Sequence, residues 1–154
     1  MRIFHSSYTA ESDRPNFIGN VIEEKYLNEC PEFAAESDKA WDAIHRLLTD
    51  GEMSWNGGTF PLNHTILGGQ LLYSEDDYII SLKDARQVRE IAKALSEFKE
   101  ESFRKLYFTD RPDSVEFQRN EQDFHYTWEW FQEVRRLFMK ASDEGRAVIF
   151  TVDQ

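Results

Sequence analysis

A long amphipathic segment near the end of the chain places the strongest constraint on its fold. From about Glu121 to Ser142, large apolar residues recur at helical spacing and form one core stripe, which consists of Phe124, Trp128, Phe131, Val134, Phe138 and Ala141. Gly145 favours the end of this helix, and the residues from Ala147 to Val152 predict a buried strand. Because the stripe and the strand both need an apolar partner, the sequence predicts one core shared by helices and strands.

The rest of the chain mixes shorter helices and strands. We predict, in order, a strand over Ile3–Tyr8, a helix beginning at Pro15-Asn16, a helix over Ser37–Thr49 capped by Ser37 or Asp38, a loop over 51–69, strands over Leu71–Tyr73 and Tyr78–Leu82, and helices over Lys83–Phe98 and Glu100–Tyr107. This order lacks regular βαβ alternation and therefore favours an α+β fold over a doubly wound sheet. The prediction is a single compact domain over residues 1–154, with a small mixed or antiparallel sheet packed against four to five helices.

The length and composition fit one soluble domain. The chain has 154 residues, of which 40% are hydrophobic and 14% aromatic, and this is enough for one packed core. Its apolar runs fall well short of the roughly 20 residues that cross a bilayer, and its first residues turn polar too soon for a signal peptide. The single cysteine, Cys30, excludes an internal disulfide and a cysteine-based zinc cluster. These features predict a cytoplasmic protein.

The net charge of −11 is unevenly distributed along the chain. Residues 1–80 contain fourteen Asp and Glu against five Lys and Arg, whereas residues 81–154 contain fifteen against thirteen. Such a field repels phosphate backbones and anionic lipids, so the sequence predicts neither a nucleic-acid nor a membrane partner. It favours a cationic protein that docks on an acidic face containing Asp38, Asp42, Glu75, Asp76 and Asp77. The alternative is that the acidity serves solubility.

The sequence contains no recognisable cofactor or metal motif. Neither Gly57-Gly58 nor Gly68-Gly69 is followed by the Lys-Ser/Thr of a P-loop, so both pairs predict tight turns or close backbone packing. Glu121, His125 and Glu129 recur every four residues, a spacing that puts three potential metal ligands on one side of a helix. Their position away from the core stripe favours a solvated charged face instead. We therefore predict no cofactor and no metal.

Aromatic and histidine side chains define one candidate pocket, between the helix that bears Trp41 and the loop over 55–69. Six residues make up this candidate pocket: Trp41, His45, Trp55, His64, Gly68 and Gly69. Imidazoles titrate near neutral pH and suit acid–base work, and pockets tend to be apolar with a few placed polar groups. No serine or cysteine nucleophile with an evident base accompanies them, so no catalytic residue is predicted.

Several segments of the chain occur in an order known from one protein family. They are Asp38-Lys39-Ala40-Trp41 with Ile44 and Leu47-Leu48, then Pro61-Leu62, Ile66-Leu67-Gly68-Gly69, the helix bearing Val88, Ile91-Ala92 and Leu95, and the helix of Trp128, Phe131 and Phe138 with its closing strand. Together they resemble the YfbM-like family of bacterial proteins of unknown function, most strongly over residues 36–152. The resemblance implies a compact α+β fold in a bacterial cytoplasm. It implies no particular activity, substrate or catalytic residue.

Two functional hypotheses from different classes follow. The preferred one is a non-catalytic acidic binding protein, in one version an immunity-type protein that covers a basic toxin, because small acidic domains associate rapidly with cationic surfaces. The alternative is a small-molecule-binding protein or enzyme that uses the candidate pocket. The sequence carries no signal of a particular oligomeric state.

Overall fold

A computed structural model describes residues 2–6, 31–75, 78–109 and 120–153 of the chain. Within these ranges the strands are β1 (Arg2–Ser6), β2 (Ala34–Glu36), β3 (Gln70–Glu75), β4 (Tyr78–Lys83) and β5 (Ala147–Asp153), and the α-helices are α1 (Ala40–Leu48), α2 (Ala85–Ser96), α3 (Glu100–Thr109) and α4 (Glu121–Asp143). The predicted α+β fold is confirmed. The predicted helix at Pro15-Asn16 and the single cysteine, Cys30, lie outside the described residues.

The sheet has β5 at its centre. Its strand order is β2-β1-β5-β4-β3, and every strand pair that the structure describes is antiparallel. Successive side chains of a strand point to opposite faces. Along β5, Val148 and Phe150 join the core that the helices share, whereas Ile149 joins a second cluster with Ile80 and Leu82. Both faces of the sheet are therefore apolar.

The core stripe of α4 packs as its spacing predicts. Five of its six residues are buried, and Trp128 is half-buried. The ring of Phe131 lies at the centre of an aromatic cluster, with centroid distances of 4.5 Å to Phe103, 5.5 Å to Trp128 and 5.9 Å to Phe98. Aromatic pairs in this range add to the stabilisation that their burial provides. This cluster joins α4 to α3 and to the end of α2.

Helix α1 begins later than predicted. Lys39 occupies its N-cap position, and the Lys39 side chain makes no capping hydrogen bond within the described chain. Asp38 has a φ of 42°, and its carboxylate accepts a hydrogen bond of 2.7 Å from the Tyr126 hydroxyl on α4. The expectation that Ser37 or Asp38 takes the cap position is therefore wrong, because a contact with a distant helix sets the conformation here.

Helix α2 also begins later than predicted, because Lys83 is the last residue of β4. Asp84 takes the N-cap position, and its carboxylate accepts a 2.8 Å hydrogen bond from the Gln87 backbone N–H. The Gln87 side-chain oxygen in turn accepts a 2.9 Å hydrogen bond from the Asp84 backbone N–H. This reciprocal arrangement satisfies two N–H groups that the first turn of a helix leaves free. It also fixes the orientation of the Gln87 amide.

Candidate functional site

Lys83, at the end of β4, is a fully buried lysine beside the candidate pocket. Its side chain has no exposure to solvent. The pairing of β4 with β5 places Ser81 opposite Phe150, and side-chain alternation puts Lys83 on the same face of the sheet. The nitrogen Nζ of Lys83 lies 5.0 Å from the centre of the Phe150 ring. Lysines are almost never fully buried unless they are paired, so this one requires internal partners.

Three oxygen atoms accept hydrogen bonds from Lys83. The nitrogen Nζ donates to the carbonyl of Ile66 at 2.6 Å, to the carbonyl of Leu67 at 2.9 Å and to the Ser81 hydroxyl at 2.5 Å. The Ser81 hydroxyl donates its own proton to the Leu67 carbonyl at 3.0 Å. An ammonium group has three protons, so this set uses all of them. Lys83 therefore ties the segment that follows α1 to the sheet.

Burial lowers the pKa of Lys83 well below its ordinary value of 10.5, because a charged amine loses its hydration there. The surrounding hydrogen bonds suit both protonation states. A neutral amine would still donate to both carbonyls while it accepts the proton of the Ser81 hydroxyl, since a serine hydroxyl can rotate. The tie between the segment and the sheet therefore does not depend on the charge of Lys83.

His45 lies on the inner side of α1 and is fully buried. Its Nε2 atom is 3.0 Å from the Ser54 carbonyl and must carry the proton of that hydrogen bond, because a carbonyl only accepts. Nδ1 is then a lone-pair acceptor, and it has no hydrogen-bond partner in the described part of the chain. Burial lowers the pKa of His45 below 6.5, and the hydrogen bond to Ser54 opposes this in part. His45 is therefore neutral near pH 7.

His64 ends a short 3-10 turn over Leu62–His64 and is half-buried. Its Nδ1 atom lies 3.4 Å from the side-chain amide nitrogen of Gln87 on α2. The ring of Phe60 packs edge-on against the imidazole, with a centroid distance of 5.1 Å. Burial lowers the pKa of His64 below 6.5, and the nearby positive charge of Lys83 lowers it further. His64 is therefore also neutral near pH 7.

Gly68 and Gly69 allow this segment to pack closely. A Cβ atom on Gly68 would lie 2.3 Å from Cδ2 of His64 and 2.8 Å from the carbonyl oxygen of Asn63. Gly69 has a φ of +93°, and a Cβ atom there would lie 2.5 Å from the carbonyl oxygen of Leu82. Only glycine accommodates both the conformation and the contact at low cost. Close backbone packing thus accounts for the glycine pair.

Three residues of the candidate pocket are linked to Lys83 indirectly, through the Phe150 ring or through its charge. The Trp41 ring is half-buried and lies 6.3 Å from the Phe150 ring, which also contacts Lys83. His45 and His64 approach from opposite sequence segments, and both are close enough for the charge of Lys83 to lower their pKa values. Lys83, Ser81 and the carbonyls of Ile66 and Leu67 form one polar cluster, the Lys83 cluster, and both histidines lie within range of its positive charge.

Further polar atoms of the same region lack partners. Besides Nδ1 of His45, these are Oδ1 of Asn63 and Oγ1 of Thr65, both buried and both without a hydrogen-bond partner in the described part of the chain. Trp55, the remaining pocket residue, is half-buried and packs against the main core. Buried polar groups usually find a partner, and an unpaired one indicates a bound water, an ion or a functional role. Ligand binding in this region stays a prediction.

Sequence reasoning missed the central residue of this cluster, because it assigned Lys83 to the start of α2. The signal that could have revealed it is the alternation of β4. Ile79, Ser81 and Lys83 share one face of the strand, and Ile80 and Leu82 share the other. A lysine on the same face of a strand as buried residues is expected to be buried and to have an internal hydrogen-bond partner.

The predicted acidic face is described only in part. The carboxylate of Asp38 accepts a hydrogen bond from Tyr126, and Asp42 forms an ion pair with Arg46 one helical turn away. Glu75 is the last residue of β3, but its side chain lies outside the described part of the chain. Asp76 and Asp77 also lie outside the described residues. The partner of Asp38 is a hydroxyl group, whereas Asp42 is paired with a cation.

The three residues spaced along α4 as potential metal ligands have other surroundings. Glu121 forms an ion pair with Arg104 on α3. His125 is exposed, and its ring packs edge-on against Phe124 at a centroid distance of 5.4 Å. Across the described ranges, no group of three or more histidine, cysteine or carboxylate side chains is arranged to hold a metal ion.

The chain is similar to known proteins of one family. The family described as a domain of unknown function, DUF1877, matches residues 5–151. The chain belongs to this family. The crystal structure of YfbM from Escherichia coli, a protein of unknown function, is similar, with a TM-score of 0.60, 17% sequence identity and coverage of 97% of this chain and 96% of that chain. At this identity the likeness shows the fold alone. No curated protein matches the chain.

The DUF1877 match and the likeness to YfbM confirm the resemblance to the YfbM-like family. Both relate this chain to proteins of unknown function, so neither assigns an activity to it. Of the helices that the structure describes, none has the length and apolar character that crossing a membrane requires.

Proposed function

We propose that this member of the DUF1877 family is a non-catalytic binding protein of the bacterial cytoplasm that docks a cationic protein through its acidic first half. In its most specific form, the proposal is an immunity-type protein that covers a basic toxin. Complementary charge would speed the association and make it sensitive to salt.

The observation that carries this proposal is the distribution of ion pairs. Each of the four described ion pairs joins two residues of the same half of the chain: Arg46–Asp42 in the first half, and Arg104–Glu121, Arg136–Glu133 and Arg146–Glu144 in the second. These arginines of the second half are therefore engaged with carboxylates of their own half. Among these four pairs, no carboxylate of the first half is neutralised by a cation of the second half, which supports the proposal.

The first half also presents carboxylates to solvent. Residues 31–52 include six acidic residues and two basic ones. Five of the six are exposed: Glu32, Glu36, Asp38, Asp50 and Glu52. Hydrogen bonds from the backbone N–H groups of Gly58 and Glu52 lower the pKa of Asp50, so it keeps its charge well into acidic pH. Exposed charges of one sign raise the local potential even when each contributes little alone.

Two cations of the second half do approach this stretch. Nζ of Lys140 lies 4.2 Å from the centre of the Phe33 ring, and the Arg146 guanidinium lies 4.8 Å from it. Lys140 also donates a 3.1 Å hydrogen bond to the backbone carbonyl of Glu32. The Phe33 ring contacts both cations, Lys140 also has its carbonyl partner, and Arg146 is paired with Glu144. We therefore expect them to weaken the negative field near Glu32 without cancelling it.

The proposal predicts a salt-sensitive complex with a basic protein. Affinity capture from bacterial extract at about 50 mM salt should recover one, and about 500 mM salt should release it, because salt screens exposed charges. With the purified partner, the variant Glu32→Gln/Asp38→Asn/Glu52→Gln should bind about tenfold more weakly, as expected from a loss of several favourable charge contacts. The substitution at Asp38 preserves an acceptor for Tyr126 and suits the positive φ, which asparagine tolerates.

A matched variant separates position from net charge. Glu90→Gln/Glu97→Gln/Asp143→Asn removes the same number of charges from exposed sites of the second half. Its affinity should change by less than about threefold, a small effect on the free-energy scale of binding. Equal weakening by both variants would show that only total charge matters, and the docking proposal would then be wrong.

The alternative function, a small-molecule-binding protein or enzyme, has its own specific support. The unpaired atoms of His45, Asn63 and Thr65 belong to α1 and to the loop over 55–69, the two segments that bound the candidate pocket. In the assigned tautomer His45 offers an acceptor, the Asn63 oxygen is an acceptor, and the Thr65 hydroxyl is both donor and acceptor. This set suits a small ligand that donates hydrogen bonds, such as an amine or an amide.

Protein-observed NMR of the isotope-labelled chain, titrated with ammonium, methylamine or acetamide, tests this alternative. A binder should shift the amide resonances of Thr65 and Ile66, and Thr65→Val should weaken its binding about tenfold, since an unpaired buried polar group of the ligand costs roughly 1–3 kcal/mol. Binding that is unchanged in Thr65→Val, or resonance shifts confined to other segments, would contradict a site between α1 and the loop.

A further inference from the structure

We propose that the segment over residues 61–69 is a pH-sensitive latch, held closed on the sheet by Lys83 and by two neutral histidines and released when His45 and His64 take up protons. This inference is independent of the docking function. It rests on the surroundings of the Nδ1 atom of each histidine, which would carry the second proton of the ring.

The His64 ring meets α2 through its unprotonated nitrogen. Nδ1 of His64 faces the Gln87 amide nitrogen at 3.4 Å, and an amide nitrogen only donates. Nδ1 is therefore the acceptor, and protonation would set one N–H against another. Gln87 cannot rotate its amide to offer the oxygen instead, because that oxygen already accepts from the Asp84 backbone N–H at 2.9 Å. Protonation of His64 would therefore break either the His64–Gln87 contact or the capping box of α2.

The buried His45 ring, on the helix α1 that packs against the Leu62–His64 turn, has the same difficulty. Its Nε2–H donates to the Ser54 carbonyl, so a second proton must go to Nδ1. That atom is buried and has no partner in the described part of the chain. An N–H group created there would be charged and without an acceptor, which is costly in a dry interior. Opening of the segment would give this N–H access to water.

The charged groups around both rings favour release rather than protonation in place. The charges that act on His45 are those of Lys83 on β4 and of Asp42 and Arg46 on its own helix. Asp42 attracts a proton to His45, but it is already engaged with Arg46. His64 faces Lys83, and the group that α2 offers it is the neutral amide of Gln87. Each proton added to a histidine would therefore place a further positive charge near Lys83.

The sign of the pH dependence follows from these contacts. In the closed state burial lowers the pKa of both histidines below 6.5. In an open state the rings meet water and titrate near their ordinary values. The open state therefore binds protons first as the pH falls below about 6.5, and it gains population. Above that pH the closed state has its full stability.

Hydrogen exchange of the segment tests the latch directly. The amides of Asn63, His64 and Thr65 donate to the backbone carbonyls of Thr59, Pro61 and Leu62, in that order, and should be protected. Their protection factors, corrected for intrinsic exchange, should fall about tenfold or more between about pH 7.5 and about pH 5.5, since each pKa unit of difference corresponds to a factor of ten. Amides in the middle of α4, such as that of Phe131, should keep their protection.

Histidine variants identify the groups responsible. His45→Gln/His64→Gln should remove the pH dependence of protection, whereas His125→Gln, at an exposed site on α4, should retain it. Loss of the dependence in the first variant alone supports the latch. A flat profile in the unmodified protein, or an unchanged profile in the double variant, overturns it. Should the double variant fail to fold, NMR titration of the unmodified protein decides: the protonation midpoints of His45 and His64 must coincide with the opening midpoint, and separate midpoints overturn the latch.

Discussion

Replacing Lys83 by methionine should lower the free energy of unfolding by about 3 kcal/mol. The methionine side chain is unbranched and ends one atom short of Nζ, and it donates no hydrogen bond. The carbonyl of Ile66 would lose its 2.6 Å hydrogen bond, and the Ser81 hydroxyl would lose one as well. A buried acceptor left without a partner costs roughly 1–3 kcal/mol, and the loss of the remaining contacts adds to this. Urea unfolding at constant m-value measures the difference.

Lys93 provides a matched control for this substitution. It lies on the exposed side of α2, ten residues after Lys83, so Lys93→Met removes the same functional group from a solvated site. The control should change stability by no more than about 0.5 kcal/mol. Equal stability of Lys83→Met and the unmodified protein would show that the buried amine does not tie the segment to the sheet.

Replacing Phe131 by alanine should destabilise the protein by about 3–5 kcal/mol, the usual range for a buried phenylalanine. The ring is fully buried and stacks on Phe103 at 4.5 Å, so its removal leaves a cavity where α3 and α4 meet. Met139→Ala removes a large side chain from the same helix at a site with 37% exposure. That control should cost less than about 0.5 kcal/mol. Similar losses in thermal or urea unfolding for both variants would contradict the placement of Phe131 in the core.

The fold was predictable where one stretch of sequence carries its own pattern. The stripe of α4 repeats apolar residues over six helical positions, and the buried strand after Gly145 begins with four successive apolar residues, so both elements are close to their predicted bounds. The helix starts were predicted less well. At α1 the conformation of Asp38 depends on Tyr126, which is 88 residues away in the chain. Local capping patterns contain no information about such a contact.

For the candidate site, the sequence indicated which two segments bound it but not which residues interact there. Aromatic and histidine content indicated α1, which bears His45, and the following loop, which contains the His64 turn that packs against α1. The partners that define their chemistry come from elsewhere: Lys83 from β4 and Gln87 from α2. A lysine is ordinarily expected at the surface, so propensity alone argued against its role. Only the register of β4 against β5 places it inside.

The central functional claim is that the first half of the chain carries a negative potential that the second half does not neutralise. NMR relaxation enhancement by paired nitroxides, cationic aminomethyl-PROXYL and anionic carboxy-PROXYL, measures the potential near each amide proton. We predict that amides over residues 36–52 are enhanced more by the cationic probe than amides of α2 and α3, and that the difference shrinks as salt is added. Equal potentials over these two regions would contradict the account.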